Sequence, residues 1–199
     1  MPIAPRLSGA ILAGGASSRM GSNKALMKFQ GEPLIARVAK ALASCPAISE
    51  IQLITNTPAE YEFFYLPCFP DIQPDKGPLG GIYTALSHAK FLRVLVVACD
   101  MPFITSELLD YLCRESEDAE VCVLESEKGV EPLCAVYAKS CLPVIEKKLR
   151  ENQLKVSDFY PQVKTKIIRL DVSLPFYKQN LLANVNTPEE FAAMKRVEG

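Results

Sequence analysis

The sequence predicts an α/β fold with a mostly parallel central sheet and crossover helices. Three observations carry that expectation. Short apolar runs at Leu7–Ala13, Ile51–Thr55 and Arg93–Cys99 read as buried strands, and the last (Arg-Val-Leu-Val-Val-Ala-Cys) is the clearest. Helical spacing of apolar residues recurs between them, as at Leu34, Ile35, Val38, Ala41 and Leu42. Each chemically distinctive segment follows a strand, where ligands of such sheets bind, beyond the carboxyl ends.

Taken in order, Pro33–Leu42 reads as a helix after the first strand. Tyr61–Pro74 holds Pro67, Pro70 and Pro74, which forbid a long helix and suggest loop with one short strand. Gly80–Ala89 reads as a helix. So does Ser106 to about Arg114, with Glu107 suited to a first turn. Strands near Glu120–Leu124 and Leu133–Ala138 flank a polar turn at Glu125–Glu131. Helix is expected over Ser140–Arg150 and part of Val156–Tyr160, and strand over Lys166–Leu170. Thr187-Pro188-Glu189-Glu190 announces a last helix with a capping threonine, a proline at its first position and a capping-box glutamate.

At 199 residues the chain suits one domain spanning 1–199, large enough to bury about 70% of its unfolded surface. Hydrophobic residues make up 49%, yet no run approaches the ~18 apolar residues of a membrane span. Met1–Arg6 lacks a signal-peptide core, so a cytoplasmic protein is expected. Seven cysteines without a C-x-x-C pair read as free thiols in a reducing compartment. One histidine, His88, and no ligand spacing argue against zinc, and His88 itself reads as structural. A net charge of −1 argues against a nucleic-acid surface, which needs a basic excess.

The segment Leu12-Ala13-Gly14-Gly15-Ala16-Ser17-Ser18-Arg19-Met20-Gly21-Ser22-Asn23-Lys24 has the makings of a phosphate cradle. Its glycines permit a tight turn with exposed backbone, its serines add donors, and Arg19 and Lys24 add two positive charges. It is not a Walker A loop, because Lys24 is followed by Ala25. The adjacent pair Gly14-Gly15 also fails the dinucleotide pattern G-x-G-x-x-G. Asp100 ends an apolar strand just before Met101-Pro102, so a carboxylate stands at a strand tip where it can ligate Mg²⁺ beside a triphosphate.

The pattern L-A-G-G-x-S-x-R-M-G-x-x-K resembles the signature of nucleotidyltransferases that join a sugar-1-phosphate or pterin phosphate to a nucleoside monophosphate. Among these the chain is most similar to the molybdenum cofactor guanylyltransferases, from Gly9 to about Ala193. The resemblance implies a Rossmann-like three-layer α/β/α sandwich of the nucleotide-diphospho-sugar transferase type. It implies transfer of GMP from GTP to the terminal phosphate of molybdenum-molybdopterin, with release of pyrophosphate. Leu12, Ala13, Gly14 and Gly15 would hold the nucleotide by backbone, and Arg19 and Lys24 would stabilise the leaving group. Asp100, in a C-D-x-P segment, would bind Mg²⁺, or Mn²⁺ in its place.

By the same resemblance, Asn56 is the base-contacting asparagine, and the G-P-L-x-G segment around Gly80 shapes the nucleoside pocket. The upstream aspartate that contacts the nucleotide is Asp71 or Asp75, and Asp71 fits better. Asn184 and Asn186 in N-V-N-T-P would approach the metal or the acceptor phosphate. Glu131-Pro132 departs from the glutamine or histidine more usual before that proline, which adds a carboxylate near an anionic acceptor. Lys155 and Lys164–Lys166 could offset it but read as a solvated face. Partners implied are GTP, a molybdopterin substrate, and transiently cofactor-biosynthesis proteins, recipient molybdoenzymes or their chaperones, with neither nucleic acid nor membrane. Two other functions stay open: a cytidylyltransferase acting on the same pterin or a polyol phosphate, and a non-catalytic nucleotide-binding regulator.

Overall fold

The computed structural model describes residues 6–14, 23–29 and 31–185. Arg19, Gly15, Asn186 and the helix expected from Thr187 lie outside the described residues. Seven strands form one sheet in the order β5-β4-β1-β6-β8-β7-β9: β1 (Leu7–Leu12), β4 (Ile48–Ile54), β5 (Cys68–Phe69), β6 (Arg93–Ala98), β7 (Val121–Ser126), β8 (Gly129–Ala138) and β9 (Thr165–Arg169). A small antiparallel pair, β2 (Lys28–Phe29) and β3 (Glu32–Pro33), stands apart. β1 pairs in parallel with both β4 and β6, β4 with β5, and β7 with β9. β8 alone runs against its neighbours β6 and β7.

The two-residue period of the strands sorts side chains into two layers. Leu7 and Ile11 of β1, Leu53 of β4, and Leu95 and Val97 of β6 face one core. That core also takes residues of α1 (Leu34–Ala43) and α3 (Ser106–Glu115). Ala10, Leu12, Ile54, Val94 and Val96 face the other core, under α2 (Gly77–His88) and α4 (Leu142–Arg150). From β1 the chain moves outward through α1 to β4 and β5, then returns through α2 to β6 on the far side of β1. Crossovers of one hand made in opposite directions fall on opposite faces, which is why α1 and α2 do not share a layer. The strand order therefore reverses between β1 and β6.

Most expected elements occur, with boundaries moved. β4 begins at Ile48, and the polar turn after β7 shrinks to a tight hairpin in which Gly129 takes φ +105°. Tyr61–Pro74 holds a run of 3₁₀ turns over Pro58–Phe64 and the two-residue β5. A second 3₁₀ run spans Val156–Gln162. His88 closes α2 with its ring stacked on Phe69, centroids 4.1 Å apart, which suits the structural role. All seven cysteines are free, five of them buried. No helix among the described residues is long and apolar enough to cross a membrane.

One boundary is corrected: the helix expected from Gly80 starts at Gly77, so α2 contains the whole of Gly77-Pro78-Leu79-Gly80-Gly81. Proline suits a first helical turn, where its missing N–H leaves nothing unpaired. The Gly80 amide is turned to Lys76 O at 3.3 Å, so it is not free to approach a base. Gly80 and Gly81 also sit where packing is close. A Cβ on Gly80 would lie 2.8 Å from Lys76 Cβ and 3.2 Å from Gln73 O, and one on Gly81 would lie 3.2 Å from Leu12 Cδ1. Gly80→Ala gains about 1 kcal/mol of helix propensity but forces that contact. The expected net result is a loss of about 1–3 kcal/mol, read as a lower urea midpoint at unchanged slope.

Candidate active site at the carboxyl ends of β1, β4, β5 and β6

β1 delivers Leu12, Ala13 and Gly14 to its carboxyl end, between its two parallel neighbours. The Ala13 amide donates to Ile54 O at 2.9 Å, and the Cys99 amide donates to Leu12 O at 3.1 Å. The turn after β1 is thus pinned to β4 on one side and β6 on the other. A Cβ on Gly14 would lie 4.0 Å from Asp71 Oδ2, so the start of the glycine turn lies against that carboxylate.

Asn56 follows β4 and Asp71 follows β5. They grip each other twice: Asn56 Nδ2 donates to Asp71 Oδ2 at 2.9 Å, and the Asp71 amide donates to Asn56 Oδ1 at 2.9 Å. Parallel pairing of β4 with β5 makes this possible, since it carries both residues off the sheet at the same edge. The Ile72 amide then donates to Thr84 Oγ1 at 3.0 Å, tying the segment to α2. Asp75 lies further on, in a turn at φ +61°, so Asp71 is the aspartate that the fold sets beside Gly14 and Asn56.

Lys24 lies in a 3₁₀ turn, Lys24–Leu26, capped by Asn23 Oδ1, which accepts from the Ala25 amide at 3.1 Å. Asn23 is held in turn. Its Nδ2 reaches Glu60 Oε2 at 2.6 Å and Tyr61 Oη at 2.8 Å, and Tyr61 is buried. Asn23 and Tyr61 act as positioning residues for Lys24, a role the sequence did not reveal. The only trace of it was a capping residue directly before the lysine.

Asp100 stands two residues past the end of β6, after Cys99. Burial raises its carboxyl above the ordinary aspartate range, opposed by its own backbone amide and by the Lys24 charge. The segment after it is fixed, with Met101 fully buried and Arg37 Nε of α1 donating to Pro102 O at 3.1 Å. Burial, with Asp100 adding to it, pushes the neighbouring Cys99 thiol up to about 12, so it is a neutral thiol and a poor nucleophile.

Asn184 also belongs here. The Val185 amide donates to Asp100 O at 3.0 Å, which clips residues 183–185 to the tip of β6. Asn184 Oδ1 is buried and takes no hydrogen bond among the described residues. Glu131 is the unexpected neighbour. Burial raises its carboxyl too, against the Leu133 amide, and Asp100 adds to the rise by repulsion. Lys164 and Lys166 fall at the start of β9, the opposite end of the parallel strands, and Lys166 pairs with Glu115 at 2.6 Å. They are not part of this constellation.

Doubly wound sheets take nucleotides at the carboxyl ends of their strands, where the strand order reverses, and these residues lie at those ends between β5 and β6. That defines the class as a nucleotide-binding α/β protein. Comparison narrows it. A family model described as the MobA-like NTP transferase domain matches residues 9–163. A protein of Carboxydothermus hydrogenoformans named a probable molybdenum cofactor guanylyltransferase is 42% identical over 193 residues, covering 96% of each chain. One of the same name from Clostridium perfringens is 41% identical, covering 92% of this chain and 93% of its own. The crystal structure of molybdopterin-guanine dinucleotide biosynthesis protein A from Archaeoglobus fulgidus superposes with a TM-score of 0.80 at 23% identity, covering 96% of this chain and 98% of that one. The chain belongs to the MobA-like NTP transferase family.

Proposed function

We propose that this protein transfers GMP from GTP to the terminal phosphate of a molybdopterin, forming a guanine dinucleotide and releasing pyrophosphate. The observation that carries this reading is the 42% identity to a named guanylyltransferase over 96% of both chains. The site geometry agrees with it.

An oxygen of the acceptor phosphate attacks the α-phosphorus of GTP, the bond from that phosphorus to the bridging oxygen breaks, and pyrophosphate leaves with the electron pair. The attacking oxygen is already anionic, so no protein base is required. Cys99 as a neutral thiol fits a transfer without a covalent enzyme intermediate. The protein supplies alignment and charge. The turn beginning at Gly14, with Asp71 and Asn56 beside it, would hold the nucleoside end. Lys24, and Arg19 from the adjoining segment, would neutralise the departing pyrophosphate.

A magnesium ion fits the residues present. Mg²⁺ takes one or two carboxylates and completes its shell with phosphate oxygens and water. Asp100 offers a desolvated carboxylate, and Asn184 Oδ1 is a buried acceptor still without a donor among the described residues. No cluster of three or more His, Cys, Asp or Glu side chains occurs among the described residues, so an all-protein cage is not on offer and phosphate would complete the shell. When bound, the ion would withdraw negative charge from the phosphate oxygens as the bond to the leaving group lengthens.

The test is pyrophosphate release with a molybdopterin acceptor and GTP, CTP or ATP in turn. Release is expected with GTP alone. Thermal stabilisation should follow the same order, since a ligand at 100 times its Kd contributes about 2.7 kcal/mol. Turnover with CTP in preference to GTP would overturn the guanylyl assignment, and binding without turnover would point to a regulator.

A further inference from the structure

We infer that Thr84, a fully buried threonine of α2, is the positioning residue that aims the Asp71 carboxylate at the nucleoside. This rests on the reading of Asp71 and Asn56 as the nucleoside end of the site. Asp71 is a residue that needs aiming, because it lies just past a two-residue strand with little sheet to hold it. β5 ends at Phe69, and Pro70 follows with no amide to offer a neighbour. Whatever fixes Asp71 must therefore come from other elements.

Two elements do so. After β4, the Thr55 amide donates to Phe69 O at 3.0 Å, and Asn56 holds both the amide and Oδ2 of Asp71. On α2, Gly80, Thr84 and His88 recur every four residues and so share one helix face. That face tracks the chain after β5 in reverse. His88 stacks on Phe69, Thr84 Oγ1 accepts from the Ile72 amide at 3.0 Å, and a Cβ on Gly80 would lie 3.2 Å from Gln73 O. Thr84 is the hydrogen-bonding point of the track. Its hydroxyl has one proton, and that proton goes to Gly80 O, one turn back, at 2.9 Å. The helix therefore orients the oxygen, which keeps a lone pair for the Ile72 amide.

The two amides that flank the Asp71 α-carbon carry the argument. The amide of Asp71 itself is held by Asn56, and the next one, that of Ile72, by Thr84. A residue has only two soft backbone dihedrals, so anchoring the peptide planes before and after Asp71 sets both of them. Only the side-chain torsions remain, and Asn56 Nδ2 restrains those by holding Oδ2. Without the Thr84 hydroxyl the plane after Asp71 is released, and the carboxylate is held from the Asn56 side alone. The loss falls on nucleotide binding and leaves the charges of Lys24 and Asp100 as they are.

The experiment measures GTP binding by calorimetry with Mg²⁺ present, and kcat and KM for pyrophosphate release. It compares the full chain with Thr84→Val, Thr84→Ser, Asp71→Ala and the double variant Thr84→Val with Asp71→Ala. Thr84→Val keeps the shape and removes the hydroxyl. It should weaken GTP about 5-fold, one hydrogen bond's worth, with KM rising alike and kcat held within about 2-fold. Thr84→Ser keeps the hydroxyl and should restore the affinity. With Asp71→Ala already present, Thr84→Val should cost no further affinity, because no carboxylate is left to aim. Should the valine variant not fold, the smaller Thr84→Ala takes its place. Unchanged GTP affinity in the variant without the hydroxyl, or an equal loss with and without the Asp71 carboxylate, overturns the inference. A wild-type chain that prefers CTP, and loses CTP affinity on Thr84→Val, would fault the guanylyl reading and uphold the role of Thr84.

Discussion

Asp100→Asn is expected to lower the rate of pyrophosphate release by about 10²–10³-fold, or roughly 3–4 kcal/mol in the barrier, while leaving the fold intact. The amide keeps the shape of the side chain and its place past the β6 tip, where Met101 and the Arg37–Pro102 contact secure the following turn. What it removes is the charge. Because burial already raises the Asp100 carboxyl above its ordinary range, a neutral amide relieves a desolvated anion. The unfolding midpoint should therefore stay or rise as activity falls, the usual opposition of stability and function at a site. A variant with undiminished turnover, or one whose activity loss tracks a loss of stability, would remove Asp100 from the chemistry.

Lys24→Ala should cost about 2–4 kcal/mol in the barrier, the loss of one group that stabilises developing charge. The effect should fall on kcat more than on the KM for GTP, because negative charge on the departing pyrophosphate grows as the bond breaks. Fixed geometry sharpens the expectation. Lys24 sits in a turn capped by Asn23, which is gripped by Glu60 and the buried Tyr61. The ammonium therefore acts from a held position. The Lys24 charge favours the ionised form of Asp100, so the two groups are coupled and their losses should combine less than additively in the double variant. Unchanged kcat in Lys24→Ala would sink the assignment.

The fold class was legible because burial on both faces writes itself into a strand. Val94–Ala98 is apolar at every position since each face of β6 meets a helical layer. Asp100, Asn56 and Gly14 were legible for a related reason: a strand tip is the first place where a polar or small residue interrupts such a run. The start of α2 was misplaced because glycine and proline are ordinary signs of a loop. Here α2 begins three residues earlier, at Gly77, because Pro78 falls in the first turn, where its missing N–H leaves no hydrogen bond unmade.

The sequence by itself determined the layered α/β architecture and the family. Those properties reside in contiguous residues, in the period of their hydrophobicity and in motif spacing. Only the tertiary structure decided which distant groups meet. Asn56 locks onto Asp71 because β4 and β5 run in parallel and end together. Residues 183–185 return to Asp100 through one backbone hydrogen bond. β8 reaches the middle of the sheet, between β6 and β7, because it runs against both, and it bulges on its β7 side between Glu131 and Ala135. Strand direction, register and bulges depend on pairing between segments far apart in the chain, and no local stretch of sequence encodes them.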